Sequence, residues 1–198
     1  MSKRGFSEIV CIVDRSGSME SIKSDAIGGY NSFIEEQKKV PGEASLTYIQ
    51  FDTEYEVVYE NKSLKDVPVL DGSVYVPRGY TALLDAIGRS INDVGARLAK
   101  TNEEDRPEKV IFAILTDGLE NASKEFNRDK IFEMITHQRE TYKWEFVFLG
   151  ANQDAIKTGV SYGIDAGSSY NFDPTGKGVR TGYMHMSDTI GKLRTNKQ

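Results

Sequence analysis

The stretch Ile9-Val10-Cys11-Ile12-Val13-Asp14-Arg15-Ser16-Gly17-Ser18-Met19 carries the clearest structural signal in the chain. Its first five residues are all apolar, which is typical of a strand buried on both faces of a parallel sheet. The run ends at Asp14, and Ser16 and Ser18 follow at alternate positions. Gly17 lets the backbone turn tightly between the two serines. Open α/β sheets place their sites at the carboxyl ends of strands, so this stretch predicts an oxygen-lined site there.

Apolar periodicity in the rest of the chain predicts that strands and helices alternate. Further strands are predicted at residues 44–51, 54–60, 109–116, 143–149 and 168–172. Helices are predicted at residues 21–38, 82–100, 128–141, 154–162 and, after a cap at Asp173 and Pro174, about 174–195. The short link between the strands at 44–51 and 54–60 indicates an antiparallel hairpin. The sequence therefore predicts an α/β fold: a doubly wound, Rossmann-like, mostly parallel sheet of six strands, with one antiparallel edge strand and helices on both faces.

Composition restricts the class of protein. The 198 residues predict a single domain over residues 1–198, with a core at about 7–172 followed by the last helix. The net charge of −5 and the pI of about 5.2 argue against nucleic-acid binding. Cys11 is the only cysteine, so an internal disulfide is excluded and a buried thiol is expected. Apolar runs are too short for a membrane helix or a signal-peptide core, which predicts a cytoplasmic protein that does not engage a membrane.

The segment Asp14-Arg15-Ser16-Gly17-Ser18 resembles the D-x-S-x-S signature of von Willebrand factor type A (vWA) domains, the family that includes integrin I domains. In that family the signature forms one third of a metal-ion-dependent adhesion site (MIDAS). The other two parts are a Thr in the pattern G-x-T-x-L and an Asp in T-D-G. Gly79-Tyr80-Thr81-Ala82-Leu83 and Thr116-Asp117-Gly118 match these parts in the family's order. The resemblance covers about residues 7–172, and Arg15 falls at a freely variable position of the signature.

This resemblance implies a complete ligand set. Ser16, Ser18 and Thr81 would supply hydroxyl ligands, and Asp14 and Asp117 would bind the metal directly or through water. Carboxylates with neutral oxygens suit Mg²⁺, with Mn²⁺ or Ca²⁺ as alternatives. The metal would keep one position open for an Asp or Glu of a partner protein. The implied function is cation-dependent protein binding without catalysis, in a chain that looks like a small stand-alone bacterial or phage vWA protein. The oligomeric state stays open.

Each part of the pattern also has a plainer explanation. Asp14, Ser16 and Ser18 are residue types that cap helices, and a helix is predicted from residue 21. Thr81 stands directly before the helix at 82–100, and an Asp before a Gly, as at Asp117, is typical of a turn. These explanations stay open at the level of sequence, although the coincidence of all three motifs favours the metal site.

Residues around the motifs carry expectations of their own. Glu120 and Asn121 follow the third motif closely and are candidates for supporting the site, whereas Asp85 is expected to lie along its helix. The two carboxylates of the site should repel each other without metal, which predicts a raised pKa for one of them. Gly28 and Gly29 weaken their helix, and we expect them to let it pack closely on the sheet.

Enzymatic interpretations find less support. Phosphatases of the haloacid type need a second Asp where this chain has Ser16, and P-loop, nucleophile-elbow and zinc-protease motifs are absent from the sequence. Thr175-Gly176-Lys177-Gly178 imitates part of a P-loop but is predicted to be a loop. His137 has no acid or nucleophile spaced to use it, and Met186 is predicted to be core rather than part of a soft-metal site. A metal-dependent hydrolase of phosphoesters is kept as the alternative function, and a metal-free scaffold as a weaker one.

Overall fold

The computed structural model describes residues 2–151 and 154–196, and in them the chain forms a six-stranded sheet. The strands are β1 (Lys3–Asp14), β2 (Glu43–Phe51), β3 (Tyr55–Ser63), β4 (Pro107–Thr116), β5 (Glu145–Gly150) and β6 (Ser169–Asn171). They lie in the order β3-β2-β1-β4-β5-β6. β3 is antiparallel to β2, and the other neighbouring strands are parallel. The predicted mostly parallel sheet with one antiparallel edge strand is confirmed. The predicted domain span of 1–198 includes residues 1, 152–153 and 197–198, which lie outside the described residues.

Helices cover both faces of the sheet. They are α1 (Lys23–Lys39), α2 (Leu83–Lys100), α3 (Arg128–Tyr142), α4 (Ala155–Ser161) and α5 (Gly176–Thr195). A short 3-10 helix at Gly17–Ile22 precedes α1. α1 and α5 share one hydrophobic core with the sheet, and α2, α3 and α4 share the other. No helix in the described part of the chain combines the length and the apolar composition that crossing a membrane requires.

The apolar run in β1 is buried because this strand lies in the middle of the sheet, between β2 and β4. Ile9, Cys11 and Val13 belong to the core under α1 and α5. Val10 and Ile12 belong to the opposite core. A strand covered on both faces needs apolar residues at every position, which explains why the run does not alternate. The Cys11 thiol is buried and free, as predicted.

The start of α5 differs from the prediction. The helix begins at Gly176, and the Thr175 hydroxyl accepts a hydrogen bond from the Gly178 amide at 3.1 Å. Thr175 is therefore the N-cap, and the predicted cap at Asp173 with Pro174 as the first helical residue is wrong. The interpretation of residues 175–178 as a loop is wrong for the same reason, since they form the cap and the first turn of α5.

Of the two glycines expected to allow close packing, only Gly29 does so, and its neighbour is helix α5 rather than the sheet. A Cβ atom at Gly29 would lie 2.3 Å from Cδ2 of Tyr183 in α5. The tyrosine ring thus fills the space that the absent side chain leaves between α1 and α5. A Cβ atom at Gly28 would meet no atom of the described residues within 4 Å. The expectation that these glycines pack on the sheet is therefore wrong.

Candidate metal centre

Three loops meet at the carboxyl edge of the sheet. The first follows β1 and carries Ser16 and Ser18 after Asp14, the last residue of the strand. The second precedes α2 and carries Thr81, and the third follows β4 and begins with Asp117. β1 and β4 are neighbouring parallel strands, so the first and third loops start side by side. Asp14 ends β1, and the other four predicted residues lie on these three loops.

Asp14 is completely buried, and uncharged groups hold its oxygen atoms. Its Oδ1 atom accepts a hydrogen bond from the Ser16 amide, and its Oδ2 atom accepts one from the Thr116 hydroxyl, both at 2.6 Å. The Tyr75 hydroxyl donates to the carbonyl oxygen of Asp14 at 2.5 Å. Ser16 and Thr116 therefore hold the carboxylate, and Tyr75 holds the backbone of the same residue.

The two serine hydroxyls of the first loop lie close to each other, and one of them bonds Asp117 in the third loop. The Ser16 and Ser18 hydroxyl oxygens are 3.1 Å apart, and the Ser18 hydroxyl donates to Oδ1 of Asp117 at 2.7 Å. A Cβ atom built on Gly118 would lie 3.4 Å from Oγ1 of Thr81 and 3.8 Å from Oγ of Ser18. Gly118 thus leaves room for both hydroxyls beside the third loop.

The loop that carries Thr81 is fixed from the opposite side by residues that follow Asp117. The Thr81 amide donates to the side-chain oxygen of Asn121 at 2.9 Å, and the Asn121 amide donates to the Thr81 carbonyl at 3.0 Å. The Glu120 carboxylate accepts from the Leu84 amide at 2.9 Å, at the start of α2. Glu120 and Asn121 therefore hold the second loop against the third, which is the supporting position expected from the sequence.

Helix capping does not account for the hydroxyl residues. Ser16 precedes the 3-10 helix, but its side chain forms no capping bond with the described residues. Ala82, rather than Thr81, occupies the capping position of α2. Asp85 lies along α2, as expected, and its carboxylate accepts hydrogen bonds from the three backbone amides of residues 124–126, each at 2.9 Å. The oxygens of Asp85 therefore bind the loop at residues 124–126, outside the three motifs.

Burial governs the charge state of the two carboxylates. It raises the pKa of Asp14 from 3.8 to about 6, while hydrogen bonds from Thr116 and Ser16 act in the opposite direction and the nearby charge of Asp117 adds to the increase. Burial also raises the pKa of Asp117, against the effect of its bond from Ser18. Both carboxylates are therefore affected, rather than one, and desolvation rather than mutual repulsion is the main cause.

The donor set fits a hard divalent cation. It contains two carboxylates and three hydroxyls, and oxygen ligands of this kind suit Mg²⁺, Mn²⁺ and Ca²⁺ rather than a soft metal. In the described ranges, no group of three or more His, Cys, Asp or Glu side chains converges, so the hydroxyls are essential to any site here. The raised pKa values of Asp14 and Asp117 mean that burying their negative charges costs free energy. A bound cation would offset this cost.

The histidine and methionine candidates lie elsewhere. Met186 is buried in the core under α5, as predicted, whereas Met184 is exposed on the same helix. The ring of His137 in α3 contacts Tyr142 edge-on, and the ring of His185 in α5 lies beside another tyrosine. These side chains form ordinary packing and surface contacts.

Three residues near the site were not predicted from the sequence. Thr116 belongs to the T-D-G motif but is not one of its expected ligands. Its position at the end of β4, next to the end of β1, is the signal that places it beside Asp14. Tyr75 comes from an irregular segment whose sequence contains no such signal. Arg15 stands at a variable position of the signature, and its side chain is nevertheless buried.

Comparison with known proteins supports the fold. No family model and no curated protein matches the chain. The von Willebrand factor domain of the type V pili tip protein Mfa5 from Porphyromonas gingivalis aligns over 97% of both chains, with 11% identity and a TM-score of 0.70. The PilB minor pilin from Streptococcus sanguinis, solved as a D319A mutant, has 10% identity and a TM-score of 0.65. Proximal thread matrix protein 1 from the mussel byssus, in a structure with a zinc-occupied MIDAS motif, has 15% identity and a TM-score of 0.62.

Coverage differs among these neighbours. The alignment includes 96% of this chain in both of the latter cases, but only 63% of the pilin chain and 46% of the mussel protein. The chain thus corresponds to one part of those longer chains and to nearly all of the Mfa5 domain. At these identities the likeness concerns the fold. The chain has the fold of a von Willebrand factor type A domain.

Proposed function

We propose that this chain binds a divalent cation, Mg²⁺ in the first place, and uses it to hold an acidic residue of a partner protein. The ligands are Asp14, Ser16, Ser18, Thr81 and Asp117. The observation that carries the proposal is the convergence of two buried carboxylates with three hydroxyls on loops from three distant parts of the sequence. The zinc-occupied MIDAS motif named for the mussel protein is consistent with a metal in this fold.

Charge explains why the partner residue should be acidic. Two carboxylates only balance the charge of a divalent cation, and the hydroxyl ligands add no charge. The occupied site is therefore not negative as a whole, and its ion can still attract one further anion. The bound ion would supply an electrophilic centre with an open coordination position, which a carboxylate oxygen can occupy. Ser18 is exposed while Asp14 is completely buried, so the partner would approach from the side of Ser18.

Apolar side chains flank this approach. Tyr80 is 69% exposed beside Thr81, and Leu119 is 62% exposed two residues after Asp117. Large exposed side chains around a charged contact exclude water and commonly contribute to binding. The partner segment that fits best therefore carries an Asp or Glu next to apolar residues. A cytoplasmic location, and binding of protein rather than nucleic acid or membrane, remain predictions from the sequence.

Calorimetric titration with Mg²⁺ tests the cation site. Thr81→Ala removes one neutral ligand, and the loop should keep its shape because its backbone bonds to Asn121 do not involve the hydroxyl. Thr47→Ala is the matched control, because Thr47 is also 3% exposed but donates to Glu8. We expect only the Thr81 variant to bind Mg²⁺ more weakly. Equal weakening in both variants would contradict the assignment.

A second experiment tests the partner. Protein captured by the wild type in Mg²⁺ should be released in EDTA and should not be captured by the Thr81→Ala variant. Replacement of the critical Asp or Glu of the partner by its amide should abolish binding, because a neutral carbonyl lacks the charge attraction to the ion. The hydrolase alternative instead predicts Mg²⁺-dependent turnover of phosphoesters that Asp14→Ala abolishes.

A further inference from the structure

We infer that Arg15 is a positioning residue for the cation site: through Asp52 and Arg78 it locks the loop that carries Thr81 onto the loop that carries Ser16 and Ser18. This inference rests on the proposed function and adds a requirement to it. The side chain would act on the metal without touching it, by fixing the distance between hydroxyl ligands that come from two separate loops.

The guanidinium of Arg15 is the centre of a buried polar cluster. Its side chain is only 5% exposed, and its Nε atom donates to Oδ2 of Asp52 at 2.8 Å. Its Nη1 atom donates to the Gln50 side chain at 3.1 Å and also to Glu56. A charged group in such a place is costly unless it is well paired, so its presence between two proposed ligands calls for a specific reason.

Asp52 connects this cluster to the second loop. Its Oδ2 atom accepts a further hydrogen bond, from Nε of Arg78 at 3.0 Å, and its Oδ1 atom accepts one from the Glu54 amide at 2.6 Å. Its carbonyl oxygen accepts from the Ala82 amide at 3.0 Å, directly after Thr81. The same residue therefore bonds Arg15 with its side chain and the Thr81 loop with its backbone.

Backbone contacts place the two loops in register. The Arg78 amide donates to the Arg15 carbonyl at 2.8 Å, and the Gly17 amide donates to the Gly79 carbonyl at 3.2 Å. Gly79 has a φ of +66°, and a Cβ atom there would lie 2.9 Å from Oγ1 of Thr53. The Thr81 loop thus approaches the β2–β3 turn, which carries Asp52, too closely for a side chain at Gly79. The ion pairs of Asp52 with Arg15 and Arg78 join that turn to both loops.

A second ion pair between an arginine and a buried carboxylate provides a matched control. Arg97 pairs with Glu8, which is completely buried in the middle of β1, six residues before Asp14. Arg15→Met and Arg97→Met each remove an arginine from a buried carboxylate, so each should destabilise the fold. Only the first should change the geometry of the cation site. Comparison of the two variants separates a positioning role from a general loss of stability.

The experiment is a calorimetric Mg²⁺ titration of folded protein at a temperature where circular dichroism shows each variant to be native. We expect Arg15→Met to raise the Kd roughly 10- to 100-fold, the usual cost of removing a residue that orients metal ligands. Arg97→Met should leave the Kd unchanged. Arg15→Lys should recover part of the affinity, because it keeps the charge but lacks the planar fork. Arg78→Met should weaken binding to a smaller degree.

The outcomes distinguish this inference from the proposed function. If the wild type binds Mg²⁺ and Arg15→Met binds it equally well, the positioning role is overturned and the cation site stands. If Arg15→Met and Arg97→Met weaken binding equally, the effect is one of stability and the positioning role is again overturned. If Arg15→Met does not fold, Arg78→Met decides, because that side chain is half exposed, and an unchanged Kd then refutes the role. If the wild type takes up no Mg²⁺, both proposals fail.

Discussion

The Thr116 hydroxyl donates a hydrogen bond of 2.6 Å to Oδ2 of Asp14, and so joins the ends of β4 and β1. The Ser16 amide holds the other oxygen of the same carboxylate. Both bonds favour the charged form, whereas burial opposes it. The balance between these effects sets the charge of Asp14. The two hydrogen bonds also fix the orientation of its carboxylate before any cation binds.

The bond from Thr116 can be removed with little change of shape. In a Thr116→Val variant we expect the pKa of Asp14 to rise above the wild-type value of about 6, because the charged form loses a donor. Titration of the carboxyl carbon by NMR in metal-free protein measures this pKa. Thr47→Val, which removes a hydroxyl bonded to Glu8, is the control and should leave it unchanged. An unaltered pKa in the Thr116 variant would show that the bond has no such role.

The raised pKa of Asp14 makes the stability of the metal-free protein depend on pH. Because the pKa is about 6 in the folded state and 3.8 is the ordinary value, the folded protein holds this proton more tightly than the unfolded chain does. The stabilisation from this group is complete below the ordinary pKa and is lost as the pH rises through the folded-state value. The raised pKa of Asp117 acts in the same direction.

An Asp14→Asn variant isolates this effect. In EDTA at about pH 8 we expect the variant to be more stable than the wild type by up to about 3 kcal/mol, since each pKa unit corresponds to about 1.4 kcal/mol. At about pH 4 the difference should disappear. Urea unfolding at the two pH values measures the difference in free energy of unfolding. A variant that is less stable than the wild type at high pH would contradict the expected cost of the buried charge.

Cation binding should stabilise the wild type. At a hundredfold excess over Kd the free energy of unfolding should increase by about 2.7 kcal/mol. In a domain of this size that corresponds to a rise of roughly 5–10 °C in Tm. Thermal unfolding in Mg²⁺ and in EDTA measures the shift, and the Asp14→Asn variant should show a much smaller one. A wild-type midpoint that does not respond to millimolar Mg²⁺ would favour the metal-free scaffold.

The exposed side chains beside the site should contribute to the partner contact. We expect Tyr80→Ala and Leu119→Ala each to weaken partner binding by roughly 1–2 kcal/mol without changing the Kd for Mg²⁺. Met184→Ala is the control, because Met184 is 66% exposed but lies on α5. Binding measured against the Mg²⁺-dependent partner tests the difference. If partner binding persists in EDTA but is lost in the Tyr80 variant, the surface around Tyr80 and Arg78, rather than the ion, carries the interaction.

The sheet could be predicted because its signals are local. The unbroken run before Asp14 requires a strand covered on both faces, and the short link after Phe51 requires a hairpin. Asp14, Ser16 and Ser18 could be proposed as ligands from their spacing after a strand, and Thr81 and Asp117 from short motifs of the family that the chain resembles. Such features depend on residues that are neighbours in the sequence, and so a single sequence contains them.

The features that were missed depend on contacts between distant segments. Thr175 and Asp173 are both good capping residues, and only the folded chain shows that Thr175 caps α5. The partner of Gly29 is a ring in another helix, and no periodicity in α1 identifies it. Arg15 bonds to Asp52 across 37 positions of sequence, so its burial could not be read from a signature in which its position is free.

The most direct test of the cation site is the anomalous scattering of Mn²⁺ in crystals grown with that ion. We predict one strong peak among the side chains of Asp14, Ser16, Ser18, Thr81 and Asp117, at oxygen-ligand distances of about 2.0–2.3 Å to at least the serine hydroxyls. The peak should be lost in crystals of the Asp14→Asn variant grown in the same way. Full occupancy at another position, with no density among these five residues, would contradict the account.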